Sequence, residues 1–363
     1  DEREDEDEDE DEDEEDYSDV EEEDLGVEYV GFCGAKIHEE IPDHRKTNVP
    51  LHSSFYVYKK GRWDGAPVVV EEARLIFFTV PEIASTTFKQ LFRRMMGFDD
   101  WHVSNSDMPH DPSTNGLRYL YDYDLEEAGN MLVSDDWVKA IFVRDPKERI
   151  LDSYLTRVLG EEANFIRKKC CEDNGVCADK AMESFLGFMK VANACCNSHW
   201  MPQTWRMEGR FWPFVDFVGR IDNAADDAKR MLELVGKWNE YGESGWGENG
   251  DMPIFGSDYE DNLAQAYEVM ADYYDDETEA FAESMYDKDY NNPYLGLDLV
   301  KVMKVDGGEE DSDRKLIRST TTTTRTTTTT TTTTTNNGLG RSLESAKELI
   351  RSLVDERMDS YVN

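Results

Sequence analysis

Three parts of the chain repeat one order: an apolar run, a short polar stretch, and then apolar residues at helical spacing. The runs are Leu75 to Val80, Val138 to Val143 and Phe214 to Val218. The first of them is a continuous apolar run, which is typical of a strand buried on both faces. Strands that alternate with helices predict a parallel sheet covered by helices on both sides. We therefore expect an α/β fold, a three-layer α/β/α arrangement around a central parallel sheet.

The segment that follows each run has the spacing of an amphipathic helix. The apolar faces are Phe88, Leu91, Phe92 and Met95; Ile150, Leu151, Tyr154, Leu155 and Val158; and Ala228, Met231, Leu232 and Val235. Asp145, Pro146 and Glu148 fit the start of the second helix, and Gly97 and Gly236 fit the ends of the first and third. Ligands in such folds bind beyond the carboxyl ends of the strands, so the residues after each run are the first site candidates.

Acidic residues outnumber basic ones by 80 to 39, which gives a formal net charge of −41. The first 24 residues alone contain 20 acidic residues and one arginine. Such a run cannot bury enough apolar surface to fold. The remaining chain is also acidic, which excludes simple electrostatic binding to DNA or RNA and docking on anionic lipid.

We predict four regions along the chain: a disordered acidic tail over 1–24, one globular domain over 25–305, a disordered linker with a poly-Thr tract over 306–338, and a short amphipathic helix over 339–363. No apolar run approaches the length of about 18 residues that a transmembrane helix needs. Because the sequence begins with Asp, we expect a preceding segment that holds any signal peptide or membrane anchor.

Two of the strand ends carry residues suited to anions. The segment from Pro81 to Phe88 leads small and hydroxyl residues into a helix, whose backbone N–H groups can cradle an anion. The alternative is an ordinary Ser/Thr helix cap. Arg144 follows the second strand and can hold a phosphate with two donors. Its alternative is a salt bridge to Asp145 or another neighbour.

These two segments resemble the nucleotide-binding motifs of sulfotransferases. Residues 81–88 resemble P-K-x-x-S-T-T/S-W/F, and residues 144–154 are similar to R-D-P-x-x-R-x-x-S-x-Y. Three later segments resemble Golgi carbohydrate sulfotransferases of the chondroitin type. They are 197–203 (H-W-x-P-Q), 217–228 (F-V-G-K/R-x-E…D-A) and 273–290 (Y-Y…Y-x-x-D-Y). The likeness runs from about residue 74 to residue 296.

The resemblance implies a P-loop-like sulfotransferase fold and an in-line sulfuryl transfer that requires no metal. It implies 3′-phosphoadenosine 5′-phosphosulfate as the donor and a sugar hydroxyl of a glycan or polysaccharide as the acceptor. It further implies the Golgi lumen or another part of the secretory pathway, with a type II membrane anchor outside this sequence. It makes no prediction of the oligomeric state.

The resemblance also assigns site residues. The donor-binding set is Ile83, Ala84, Ser85, Thr86, Thr87, Phe88, Arg144 and Ser153. The three hydroxyl residues of the first segment would cradle the 5′-phosphosulfate, and the arginine would bind the 3′-phosphate. His199 would be the general base, because an imidazole has an unperturbed pKa near neutrality. Its alternative is a buried, hydrogen-bonded histidine beside Trp200.

Two positions depart from the family pattern. Glu82 stands where the family has a lysine, and Asp152 stands at the family's serine position, with Ser153 one residue later. A carboxylate near an anionic donor is repulsive unless it is protonated, turns away or pairs with a cation such as Lys89, Arg93 or Arg94. The chain is then an atypical active enzyme, an impaired member that binds glycan or nucleotide, or a sequence with errors. From the sequence alone, Glu82→Lys should tighten nucleotide binding.

Five of the six cysteines lie within residues 170–196, just before His199. An even number of clustered cysteines is typical of disulfides in a secretory compartment. A zinc site that includes Cys196 and His199 and free thiols are the alternatives.

Acceptor choice is expected in two variable loops, residues 99–136 and 238–262. Trp101, Trp246 and Tyr259 are candidates for stacking on sugars, with ordinary packing as the alternative.

Overall fold

The computed structural model describes most of the central part of the chain. The described residues are 51, 65–105, 108–160, 166, 170, 181–195, 197–256, 267 and 269–302. The predicted acidic tail, the poly-Thr linker and the C-terminal helix lie outside them, as does Tyr259. Within the described part, no helix is both long enough and apolar enough to cross a membrane.

One sheet of five strands forms the centre of the described residues, in the order β3-β1-β2-β4-β5. The strands are β1 (Val68–Val70), β2 (Leu75–Phe78), β3 (Arg118–Tyr119), β4 (Val138–Val143) and β5 (Phe217–Arg220). The strands β2, β4 and β5 run parallel, with Phe78 opposite Ile141 and Ile141 opposite Val218. The predicted α/β fold is confirmed, and its three predicted strands form the parallel part.

The sheet is mixed, whereas the sequence predicts a parallel one. Strand β1 pairs antiparallel with both β2 and β3. Only residues 71–74 join β1 to β2, and Arg74 turns the chain with a φ of 49°. A link this short cannot carry the crossover that a parallel neighbour requires, so the two strands form a hairpin.

Two strand boundaries differ from the prediction. Strand β2 ends at Phe78, before Pro81, which has no N–H for a ladder. The third strand begins at Phe217 rather than Phe214, because Gly209–Phe214 form a 3₁₀-helix. Gly219 lets β5 approach β4, since a Cβ atom there would lie 2.6 Å from the Phe142 ring.

Helices cover the sheet and continue beyond it. They are α1 (Ser85–Met95), α2 (Leu125–Val133), α3 (Pro146–Ser153), α4 (Phe185–Ala194), α5 (Ala224–Leu234), α6 (Asp276–Met285) and α7 (Asp287–Asn291). The three predicted helices are confirmed as α1, α3 and α5. The Asp145 side chain caps α3 by accepting the N–H groups of Lys147 and Glu148. Gly97 and Gly236 have positive φ beyond α1 and α5.

Helix α3 does not end in an ordinary turn. It continues into a π-helical turn over Tyr154–Val158, in which the Leu159 N–H bonds to the Tyr154 carbonyl at 3.0 Å. A π turn closes over one more residue than an α turn and is frequent at functional sites. This turn directly follows Ser153, which stands one residue later than the serine of the family motif.

Two apolar clusters stabilise the fold. The first surrounds the sheet, where Phe88 packs against Phe77 and Phe142 with ring centroids 4.6 Å apart in each pair. The second joins α3, α4 and α6 around Trp200.

A disulfide between Cys170 and Cys195 lies in the second cluster. It confirms the predicted disulfide bonding for this pair. The zinc alternative gains no support from these two thiols, which are bonded to each other. Cys33, Cys171, Cys177 and Cys196 lie outside the described residues.

Candidate functional site

Three segments meet at the carboxyl ends of β2 and β4: the loop before α1, the start of α3 and the turn around His199. Arg149 on α3 ties them together. Its buried guanidinium donates to the carbonyls of Pro81 at 3.1 Å, Met201 at 2.7 Å and Ser198 at 2.7 Å. Since a guanidinium presents five donors in a rigid fork, one side chain fixes both loops relative to α3.

The turn after His199 is held by buried polar side chains. The Gln203 amide brackets the Arg144 backbone, accepting from its N–H at 3.0 Å and donating to its carbonyl at 2.8 Å. The Asp289 carboxylate accepts the N–H groups of Gln203 at 2.9 Å and Thr204 at 2.7 Å. Both side chains belong to motifs quoted for the resemblance, and the structure gives them a supporting role.

Asp289→Asn should lower the free energy of unfolding by about 2 kcal/mol, because the two backbone N–H groups bond to different oxygens and the amide keeps only one of these acceptors, without its charge. Urea denaturation would measure the loss. Asp287→Asn is the matched control, since Asp287 is exposed on the same short helix and bonds to Asn291. Equal stability of the two variants would contradict the supporting role of Asp289.

The start of α1 differs from an ordinary Ser/Thr cap. The N-cap is Ala84, with a φ of 51° and no side-chain acceptor. The hydroxyl residues Ser85, Thr86 and Thr87 therefore occupy the first helical turn, which contains no acidic residue. Their backbone N–H groups lack a side-chain cap from the N-cap residue, as an anion cradle requires. The other predicted members of this segment, Ile83 and Phe88, are buried in the core and support the loop.

His199 lies beside the same loop. Its Nδ1 is 2.9 Å from Glu82 Oε1, and the Arg157 Nε is 3.0 Å from that same oxygen. Glu82 therefore pairs with a cation on the π-helical turn, and not with the residues suggested by sequence proximity. Arg93 bonds to Asp100 and Asn115, and Arg94 bonds to the carbonyls of Tyr241 and Ser244, so both arginines are engaged elsewhere.

The Glu82 carboxylate is ionised in this setting. Burial alone would raise the pKa of Glu82, but the hydrogen bond with His199 and the charge of Arg157 outweigh burial and hold the pKa well below its usual range. The sequence suggested several ways in which Glu82 could avoid repelling an anionic donor. Of these, pairing with a cation is observed and protonation is not.

Arg144 lies at the end of β4, as expected, but carboxylates contact its guanidinium. Its Nε is 3.3 Å from Glu148 Oε2 and its Nη1 is 3.1 Å from Asp152 Oδ2. The salt-bridge alternative is therefore observed, although with these partners and not with Asp145, which caps α3. The Ser153 hydroxyl is fully buried and lies 3.1 Å from the carbonyls of Arg149 and His199.

His110 is a site residue that the sequence reasoning missed. Its Nε2 lies 3.0 Å from Thr86 Oγ1, at the first turn of α1. Burial, followed by the charges of Lys89 and Arg157, lowers the pKa of His110 to about 4, so this imidazole is neutral near pH 7. His110 comes from the 99–136 loop, which the sequence assigns to acceptor choice. No motif points to it.

The two tryptophans proposed for sugar stacking pack against each other. Their ring centroids are 4.9 Å apart in an edge-on arrangement, and the Arg94 guanidinium lies over Trp101 at 5.1 Å and near Trp246 at 5.9 Å. These contacts support the packing alternative for both residues.

Comparison with known proteins agrees with this geometry. The sulfotransferase family matches over residues 67–292. Carbohydrate sulfotransferase 11 of Danio rerio is 24% identical to this chain in an alignment of 190 residues that covers 47% of this chain and 53% of that protein. The match therefore spans about half the length of that curated relative, and no solved structure matches significantly. With more than half of its residues matched to this one family, the chain belongs to the sulfotransferase family.

Proposed function

We propose that this protein is a carbohydrate sulfotransferase that uses 3′-phosphoadenosine 5′-phosphosulfate as its donor and a glycan hydroxyl as its acceptor. The observation that carries the proposal is that the His199 imidazole lies beside the uncapped start of α1. It contacts Glu82, in the loop before that helix, at 2.9 Å. The relative from Danio rerio supports a carbohydrate acceptor.

The first turn of α1 suits the sulfate-bearing end of the donor. Backbone N–H groups from Ser85 to Thr87 and the Thr86 hydroxyl would bind its anionic oxygens. Arg144 would bind the 3′-phosphate, and for this it must release Glu148 or Asp152. The donor, when bound, supplies the sulfuryl group, whose bond to the nucleotide phosphate breaks with the electron pair remaining on the phosphate.

His199 would take the proton of the acceptor hydroxyl as that oxygen forms its bond to sulfur. The O–H bond breaks and an N–H bond forms on the imidazole, so the oxygen attacks without carrying a positive charge. The backbone of His199 is fixed for this task, because its N–H donates to Asn197 Oδ1 at 2.9 Å and its carbonyl lies beside the Ser153 hydroxyl.

A second candidate function is favoured by Arg144. Its side chain is only 4% exposed and contacts two carboxylates. If those contacts persist when the nucleotide arrives, the arrangement opposes binding of a further phosphate. The protein would then be an impaired family member that binds glycan or nucleotide without transferring sulfate.

The Cys170–Cys195 disulfide and the carbohydrate sulfotransferase relative both support a location in the Golgi lumen or elsewhere in the secretory pathway. A type II anchor outside this sequence remains part of the proposal.

The test combines nucleotide binding with sulfation. 3′-phosphoadenosine 5′-phosphate should raise the melting temperature, and labelled donor should sulfate members of a glycan panel. His199→Gln should lower kcat by about 10²- to 10⁴-fold while the nucleotide still raises the melting temperature. His102→Gln is the control, since His102 is exposed. Absence of a shift at millimolar nucleotide would refute the enzyme proposal, and a shift without sulfation would favour the second candidate.

A further inference from the structure

We propose that Glu82 is a positioning residue for His199: its carboxylate keeps the imidazole proton on Nδ1 and leaves Nε2 to accept the proton of the acceptor hydroxyl. The inference rests on the proposed function. It assigns a role to the residue that departs most sharply from the family motif, since the lysine of that motif has no lone pair with which to hold a protonated Nδ1.

The direction of the hydrogen bond follows from the contacts of one oxygen atom. Glu82 Oε1 accepts from Arg157 Nε at 3.0 Å, and a guanidinium can only donate. The same oxygen lies 2.9 Å from His199 Nδ1. An oxygen that accepts from a guanidinium and belongs to an ionised carboxylate has no proton to offer, so Nδ1 is the donor. In a neutral imidazole, Nε2 then carries the lone pair.

Both partners are held in place by the backbone. The Glu82 side chain is 9% exposed, and its φ of 63° is one that residues other than glycine rarely adopt. The carbonyl of the preceding residue, Pro81, accepts from Arg149. The Ser153 hydroxyl lies against the His199 carbonyl. The contact therefore joins two fixed segments and does not depend on a long exposed side chain.

The surroundings of the pair are cationic. Arg157 faces it from the π-helical turn and Arg149 from α3, while His110, which interacts with both members of the pair, also interacts with the charge of Lys89 on α1. Without a carboxylate, a protonated His199 would form next to Arg157 at a high electrostatic cost. Glu82 offsets that charge when Nε2 takes the acceptor proton. The proton on Nδ1 stays on the ring, and Glu82 does not itself become protonated.

The test reads the imidazole directly and does not depend on turnover. The ¹⁵N spectrum of the histidine-labelled protein reports which ring nitrogen is protonated, and His199→Gln identifies the His199 signals. We expect the Nδ1–H form in the wild type and a mixture of both forms in Glu82→Gln. Glu148→Gln is the matched control, because it removes a carboxylate at the same edge that contacts Arg144, and it should leave the His199 spectrum unchanged.

Activity provides the second measurement. Glu82→Gln should lower kcat by about 10²-fold or more, as expected when a catalytic histidine loses the group that sets its tautomer. The melting-temperature shift produced by 3′-phosphoadenosine 5′-phosphate should persist in this variant, which separates loss of positioning from loss of donor binding.

An Nε2–H form in the wild type would overturn the inference whatever the activity, and this outcome does not require a Glu82 variant to fold. An unchanged tautomer in Glu82→Gln would also overturn it. Failure of the proposed function has a different signature: neither nucleotide binding nor sulfation is detected in the wild type, although the Nδ1–H form is present. That outcome removes the catalytic role assigned to Glu82.

Discussion

Arg149→Met is expected to lower the free energy of unfolding by about 3 kcal/mol, because the carbonyls of Pro81 and Met201 lose their donor and the Ser198 carbonyl keeps only Arg206. Each unpaired buried group carries a penalty of about 1–3 kcal/mol. Part of that loss is recovered, since the buried guanidinium no longer has to be desolvated. Methionine approximates the length of the arginine side chain but cannot donate. Sulfation should be lost as well, because the Pro81 and Ser198–Met201 segments would no longer be held together.

The measurement is urea denaturation, with Arg220→Met as the matched control. Arg220 is the last residue of the parallel strand β5, and its side chain is one-third exposed and contacts Asp222 and the Gly296 carbonyl. Its loss should cost less than about 1 kcal/mol. If Arg149→Met unfolds at the same urea concentration as the wild type, Arg149 does not hold the two loops.

Glu82→Lys is expected to destabilise the protein by about 3 kcal/mol, since it buries a cation next to the half-buried Arg157 and removes the carboxylate that pairs with this arginine. The sequence alone predicts a benefit, because lysine restores the family motif. The structure adds a cost in stability to the tighter nucleotide binding that the sequence predicts. The residue at 82 does not act alone but as one half of a pair with Arg157.

A double-mutant cycle tests that pairing. Glu82→Lys combined with Arg157→Glu exchanges the two charges, and the double variant should be more stable than the sum of the single changes predicts, by about 1–3 kcal/mol. Unfolding free energies of the four proteins measure this coupling. Additive losses would show that the two side chains do not interact across the 3.0 Å contact.

The parts of the fold that local patterns determine were predictable. Strand β4 is apolar except for Lys139, and α3 begins at Pro146 after the N-cap Asp145, whose capping chemistry is local. The hairpin of β1 and the pairing of β3 were not predictable, because these strands are only three and two residues long. Runs that short carry no readable period.

The candidate site divides in the same way. His199 and the hydroxyl residues of α1 lie within contiguous motifs, so the sequence alone indicated them. The sequence did not indicate Arg157 as the partner of Glu82, because the two residues are 75 positions apart and the direction of the Arg157 side chain depends on the π-helical turn. His110 reaches Thr86 from a loop without a motif. Long-range side-chain contacts of this kind depend on tertiary packing, which a single sequence does not display.

The π-helical turn has a consequence for how this site can change over generations. In an uninterrupted α-helix, each residue after Ser153 would project about 100° away from the direction it has when one extra residue is accommodated. The guanidinium of Arg157 would then point away from Glu82, and a carboxylate at position 82 would stand uncompensated beside His199. The turn and the carboxylate are therefore expected to be inherited together.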